Sequence, residues 1–259
     1  MKGASALLLY FSKGEIFMLN DDVKDFLKTF HILTYGNSKW QVWQDFIFMS
    51  ACSFSNAVAR NDYVNRENAY LKTINKYSER DRKLFPKLLA KLTMALERNP
   101  EQDFLGKIFM ELDLGSRNRG QFFTPYDVCR LMSEINLLGL EDDINRLGYH
   151  SINDPTCGAG ATLIASANVA RRILGEKGKN FQNYILFTGQ DIDETVGLMC
   201  YVQLSLLGCA GYVKIANTLT DPIRKNDDIN KYWFTPMYFS DIWRLRRALH
   251  KANILTDGD

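Results

Sequence analysis

Two carboxylates bracket a glycine-rich turn in this chain. Asp154 opens the run Asp154-Pro155-Thr156-Cys157-Gly158-Ala159-Gly160, and Asp191 closes the later segment Gly189-Gln190-Asp191. Glycine has no Cβ, so such a turn lets backbone N–H groups approach a ligand closely. The run is not a dinucleotide GxGxxG, because Leu163 stands at the third glycine, and no Gly-Lys-Ser/Thr follows to make a phosphate loop. What remains is an acid entering the turn and a second acid at the end of the next strand. A carboxylate at the place of Asp191 can accept both ribose hydroxyls of a nucleoside, and Asp154 can face an ammonium group of the same ligand. The plainer alternative is an acidic turn and an unrelated exposed Asp.

The elements that must position these residues follow from periodicity. Ser151 to Asn153 reads as a short strand, followed by a helix from near Gly160 through Leu163, Ile164, Ala167 and Ala170 to Arg171-Arg172, with Gly175 as its C-cap. Tyr184 to Thr188 is a second strand, Glu194 to Leu207 an apolar helix closed by Gly208, and Tyr212 to Ala216 a third strand. Lys231 to Phe234 is a fourth, and Phe239 to Lys251 a last helix. Strands alternating with helices predict an open, mostly parallel α/β sheet, with ligand sites at the C-terminal strand ends.

Before this lies a helical region. Val23, Phe26, Leu27 and Phe30 share one helical face, as do Trp43, Phe46, Ile47 and Ser50, then Leu84, Leu88, Leu92 and Leu96. Asn99-Pro100 ends that third helix, and Glu101 to Leu112 forms another. The aromatic residues here read as core. The polar loop from Gly115 to Gly120 sets a boundary, giving a helical region over 18–115 and an α/β region over 116–259. Residues 1–17 read as a non-native leader. Lys13-Gly14-Glu15 shortly before Met18 is what translation through a purine-rich ribosome-binding site would produce.

Composition narrows the classes. With 259 residues, 46% of them hydrophobic, the chain can bury a substantial core, and a net charge of +2 gives no global basic field for nucleic acid. Cys52, Cys129, Cys157, Cys200 and Cys209 form no CxxC pair and read as reduced thiols of a cytoplasmic protein. His31, His150 and His250 are scattered, so no metal site is expected, and no apolar run reaches membrane-spanning length.

From Asp103-Phe104-Leu105-Gly106 to Leu219, four ordered motifs resemble those of the modification subunits of type I restriction systems and their solitary relatives, which are DNA adenine-N6 methyltransferases. Gly120-Gln121-Phe122-Phe123-Thr124-Pro125 matches the family's GQxFTP. The 154–160 turn matches its DPxCGxG, Gly189-Gln190-Asp191 its GQ(D/E), and Asn217-Thr218-Leu219 its (D/N)TL. The resemblance implies S-adenosylmethionine as cofactor and a Rossmann-like class I methyltransferase sheet. It implies that Gln121, Phe123, Thr124 and Pro125 serve the methionine end, that Asp154, Thr156, Gly158, Gly160 and Asp191 form the cradle, and that Asn217 holds the adenine. It also implies DNA as a partner, with a specificity subunit or self-association.

The catalytic motif departs from the pattern. Where the family carries Asn-Pro-Pro-Phe/Tyr after its fourth strand, this chain has Thr235-Pro236-Met237-Tyr238. By resemblance Thr235 and Pro236 would meet the target amino group and Tyr238 would stack on the flipped base. Relative to the family the sheet reads as C-terminally truncated. Two readings follow: a methyltransferase with a variant motif, or a non-catalytic, cofactor-binding remnant or subunit that needs a partner chain. The truncation also predicts that the 231–238 edge is covered, either by the N-terminal helices or by another chain. Arg244, Arg246, Arg247 and Lys251 on the last helix suit either DNA phosphates or the helix dipole.

Overall fold

The computed structural model describes residues 21–59, 62–114, 123–224 and 227–256, with side chains to Leu249. The proposed leader and Gln121 lie outside these residues. Helix α1 covers residues 21–33, followed by α2 (Lys39–Val58), α3 (Tyr63–Ile74), the single turn α4 (Glu79–Arg82), α5 (Leu84–Arg98), α6 (Phe104–Glu111), α7 (Tyr126–Asn136) and α8 (Leu140–Leu147). Four strands then alternate with helices: β1 (His150–Asp154), α9 (Ala161–Gly175), β2 (Ile185–Asp191), α10 (Glu194–Leu206), β3 (Ala210–Ile215), β4 (Tyr232–Phe234) and α11 (Asp241–Thr256).

The sheet runs in the order β1-β2-β3-β4, with β1, β2 and β3 parallel. Helix α9 carries the chain from β1 to β2 and α10 carries it from β2 to β3, the crossover that parallel strands require. β4 pairs with β3 antiparallel, Tyr212 facing Phe234 and Lys214 facing Tyr232. The described part of the β3–β4 connection contains no α-helix, so the chain doubles back along the strand it has just left.

The helical region is joined to the sheet by continuous packing. One cluster of buried residues extends from Val23 to Trp233. The expected aromatic core is present: Phe26 lies between Phe30, Trp43, Phe46 and Phe104, with centroid separations of 5.6–6.4 Å. α2 packs on α10, and α7 on α9.

The N-terminal helices also cover β4, as the edge argument anticipated. The Arg66 guanidinium of α3 lies 4.2 Å from the Trp233 ring centroid and donates to the Tyr232 carbonyl at 3.0 Å, while Phe48 of α2 meets the same indole edge-on at 6.4 Å. Helices α3, α7 and α8 escape the sequence reading. In α7, Val128, Leu131, Met132 and Ile135 nevertheless stand at helical spacing, as do Leu140, Ile144 and Leu147 in α8, which is bounded by the left-handed glycines Gly139 and Gly148.

Candidate functional site

The 154–160 turn links the end of β1 to α9, and its shape depends on two left-handed glycines. Gly158 has φ +56° and Gly160 φ +98°. A Cβ on Gly160 would come within 2.8 Å of Cys200 Sγ and 3.2 Å of its Cα, so the turn presses directly onto α10. The turn closes on itself when Gly160 N–H donates to the Cys157 carbonyl at 2.8 Å, and it is tied to β2 by Cys157 N–H on the Gln190 carbonyl at 2.9 Å. No side chain caps the start of α9, which leaves first-turn N–H groups directed toward the strand ends.

Both carboxylates belong to this architecture. Asp191, half-buried at the end of β2, accepts Gly158 N–H at 2.9 Å through Oδ2 and Asp193 N–H at 2.9 Å through Oδ1. Asp154 accepts Thr156 N–H at 3.1 Å. Burial pushes both carboxyls upward, and their hydrogen-bond donors, N–H groups and for Asp154 also the Thr162 hydroxyl, only partly offset it. The close approach of α10 beneath Asp191 explains Gly197, where a Cβ would meet Ile215 Cδ1 at 2.6 Å and Asp191 Cβ at 3.4 Å.

The segment after β3 joins the same place. Thr218 donates its hydroxyl to the Pro155 carbonyl, which sets the 217–219 motif against the first turn. Asn217 folds its own loop: Oδ1 accepts Leu219 N–H at 2.9 Å, and its carbonyl accepts Asp221 N–H at 2.7 Å. Phe123 reaches the turn from the other side, 3.4 Å from where a Gly158 Cβ would stand, with its ring 5.5 Å from that of Phe109. Thr124 and Pro125 are exposed and lead into α7. Asp154, Thr156, Gly158, Gly160, Asp191, Asn217 and Phe123 thus converge, at the strand ends where a parallel sheet places its ligands.

Thr235, Pro236 and Tyr238 directly follow β4, as the place of the motif in the sequence suggested, but they lie at the end of the sheet opposite the cradle. β4 runs antiparallel, so its end lies at the start of β3. Gly211, level with Thr235, is also level with Phe187, four residues before Asp191 along β2, or about 13 Å at strand rise. Thr235 is fully buried; its hydroxyl donates to the Cys209 carbonyl at 2.7 Å and accepts Gly211 N–H at 3.0 Å. The Tyr238 ring is covered by the Arg247 guanidinium at 4.0 Å.

Arg246 is committed as well, donating to the Asn183 carbonyl at 2.8 Å and to the Gly148 carbonyl. These contacts fasten α11 against the N-terminal ends of β1 and β2. The side chain of Lys251 lies outside the described residues.

Three side chains central to the site went unassigned in the sequence. Gln203, fully buried on α10, donates to the Ala159 carbonyl at 2.9 Å and to Asp103 at 2.8 Å, and it accepts Leu105 N–H at 3.0 Å. It therefore connects the 103–106 motif to the glycine turn. Gln190 donates to the Ala216 and Asp221 carbonyls at 3.1 and 2.8 Å. Lys214, also fully buried, meets Asp221 and Asp227. A buried amide or ammonium inside an apolar pattern was the available signal for Gln203 and Lys214, since such groups persist only when paired. Among the described residues no three His, Cys, Asp or Glu side chains group as metal ligands, and no helix is long and apolar enough to cross a membrane.

Residues 107–257, more than half of the chain, match the family described as N-6 DNA Methylase. No curated protein matches. Among solved structures, one described as a class I S-adenosylmethionine-dependent methyltransferase from Listeria monocytogenes aligns at 15% identity and a TM-score of 0.42, covering 78% of this chain and 55% of that one. The methyltransferase subunit of a type I restriction-modification system from Streptococcus thermophilus aligns at 20% identity and a TM-score of 0.37, covering 60% of this chain and 32% of that one. The chain thus spans about half the length of the first and about a third of the second.

Proposed function

The chain belongs to the N-6 DNA Methylase family, and from that premise we propose that it holds the methyl donor for adenine-N6 methylation of DNA in the turn between β1 and α9. The class is that of an S-adenosylmethionine-dependent methyltransferase. When bound, this cofactor supplies a methyl group carried on a positively charged sulfur.

The residues present suit such a group. Asp191 already orients two backbone N–H donors, and its carboxylate has lone pairs left for the two ribose hydroxyls. Asp154 offers the complementary charge for an ammonium, Phe123 an apolar wall beside Gly158, and the Asn217 loop a polar rim for the adenine. The observation that carries the reading is the single carboxylate of Asp191 shared between the glycine turn and the start of α10. It fixes the relation of two motifs that lie far apart in sequence.

In this reading the orienting contact for the target amino nitrogen does not come from Thr235. Its hydroxyl is spent on Cys209 and Gly211 at the other end of the sheet. The group accepting the amino hydrogens and the surface for the flipped base then come from elsewhere than Thr235, and a partner polypeptide is the proposed source. DNA is the substrate class, and the cytoplasm the compartment in which the five thiols stay reduced.

The test incubates the purified protein with labelled S-adenosylmethionine and mixed-sequence DNA and scores binding and transfer separately. Binding without transfer is expected of this chain alone. Transfer by the chain alone would overturn the requirement for a partner, and absence of binding would overturn the whole proposal.

A further inference from the structure

Lys214 points its ammonium into the connection between β3 and β4. The residue is fully buried, an arrangement that is unfavourable unless every donor finds an acceptor. Its three N–H donors have three partners: Asp221 Oδ1 at 2.8 Å, Asp227 Oδ2 at 2.6 Å and the Pro222 carbonyl at 2.9 Å. Lys231 reinforces Asp221 from outside at 2.9 Å, and the Tyr232 hydroxyl and Arg224 N–H both donate to Asp227.

Asp221 is the hinge of the argument. Its side chain meets Lys214, while its N–H closes the turn on the Asn217 carbonyl at 2.7 Å and its carbonyl takes Gln190 Nε2 at 2.8 Å. Within that turn Thr218 reaches back to Pro155 in the 154–160 segment. A chain of direct contacts therefore runs from Lys214 through Asp221 to Asn217 and into the glycine turn. An apolar side chain would fill the same space, but it would not dictate where the two carboxylates, and so the loop, come to rest.

We propose that Lys214 is a positioning residue for nucleoside recognition: through Asp221 and Asp227 it holds the 217–221 turn in the shape that receives the adenosine end of the cofactor. This rests on the cofactor site assigned under Proposed function.

Calorimetric titration of the full chain with adenosine and, separately, with S-adenosylhomocysteine tests it, comparing the parent with Lys214→Met and Asp227→Asn below each variant's unfolding temperature. Both variants are expected to bind both probes roughly tenfold more weakly, by the same factor. Adenosine affinity within twofold of the parent in a folded variant would overturn the proposal. So would a much larger loss for S-adenosylhomocysteine than for adenosine, because general loosening would also reach the Asp154 end of the site. Should Lys214→Met fail to fold, Asp227→Asn, at the outer side of the cluster, decides by the same criteria. A parent that binds neither probe removes the underlying site assignment, and this proposal with it, a result distinct from normal binding by the variants.

Discussion

The two ends of the sheet handle polar groups in opposite ways. At the C-terminal end, Asp154 and Asp191 are half-buried and oriented by hydrogen bonds, and with the uncapped first turn of α9 they retain capacity for a ligand. At the N-terminal end, Thr235, Tyr238, Arg246 and Arg247 are consumed by carbonyls, an N–H and an aromatic ring of the chain itself. Residues that look equally chemical in sequence are thus available at one end and spent at the other. The difference lies in unsatisfied capacity, and capacity is a property of the fold.

The sharpest way to break this comparison is at Gly160. Alanine there must adopt φ +98° and press its Cβ on Cys200. Chemical denaturation of Gly160→Ala should show a loss of about 3 kcal/mol, from backbone strain and overpacking together, and calorimetry should show no cofactor binding. A variant as stable as the parent would mean that the turn is loose.

Asp191→Ala comes next. It removes the acceptor of two N–H groups and, in the proposed site, of the ribose hydroxyls. Binding of S-adenosylhomocysteine should weaken by about 1.5–3 kcal/mol, the range for hydrogen bonds to a charged group. Unchanged affinity would detach the carboxylate from the ligand.

At the other end, Thr235→Val should cost about 1–2 kcal/mol of stability because Gly211 N–H and the Cys209 carbonyl lose their partner. Cofactor affinity should stay the same. A variant with full stability that loses only methyl transfer would reverse the assignment of this end as structural.

The smallest effect concerns pH. Burial raises the Asp154 and Asp191 carboxyls above 3.8, so their contribution to stability is fully present below that value and is lost as pH rises through the raised range. Subtracting the stability–pH curve of Asp191→Asn from that of the parent should reveal this decline. A flat difference would place Asp191 in an environment as wet as an unfolded chain's.

Much of the C-terminal end was legible in the sequence. The glycine spacing and the strand-ending acids are local signals, because each requires particular residue types within a few positions, whereas the 217–219 segment was implied by the family resemblance alone. The large N-terminal helices were legible through their aromatic and leucine stripes. Gln203 and Lys214 were not read, because their partners Asp103, Ala159, Asp221 and Asp227 are brought to them by chain reversals that no periodicity reveals. Helix α7 was legible as a helix, with Val128, Leu131, Met132 and Ile135 at helical spacing, but not in how it packs. It buries Cys129 and Ser133 while Leu131 and Ile135 stay exposed, at 62% and 59%, so its apolar stripe does not mark its packed side.

By itself the sequence determined the alternation of strands and helices, the left-handed turn that only glycine tolerates, and two carboxylates at the ends of successive strands. Tertiary structure alone decided the direction of β4. Three strands run parallel because a helix of adequate length returns the chain to the starting end each time. The described connection after β3 has no such helix, so β4 runs back down β3 and carries Thr235 away from the cradle. A motif's chemistry is written in its residues, but the end of the sheet on which it lands is set by the geometry of the connection.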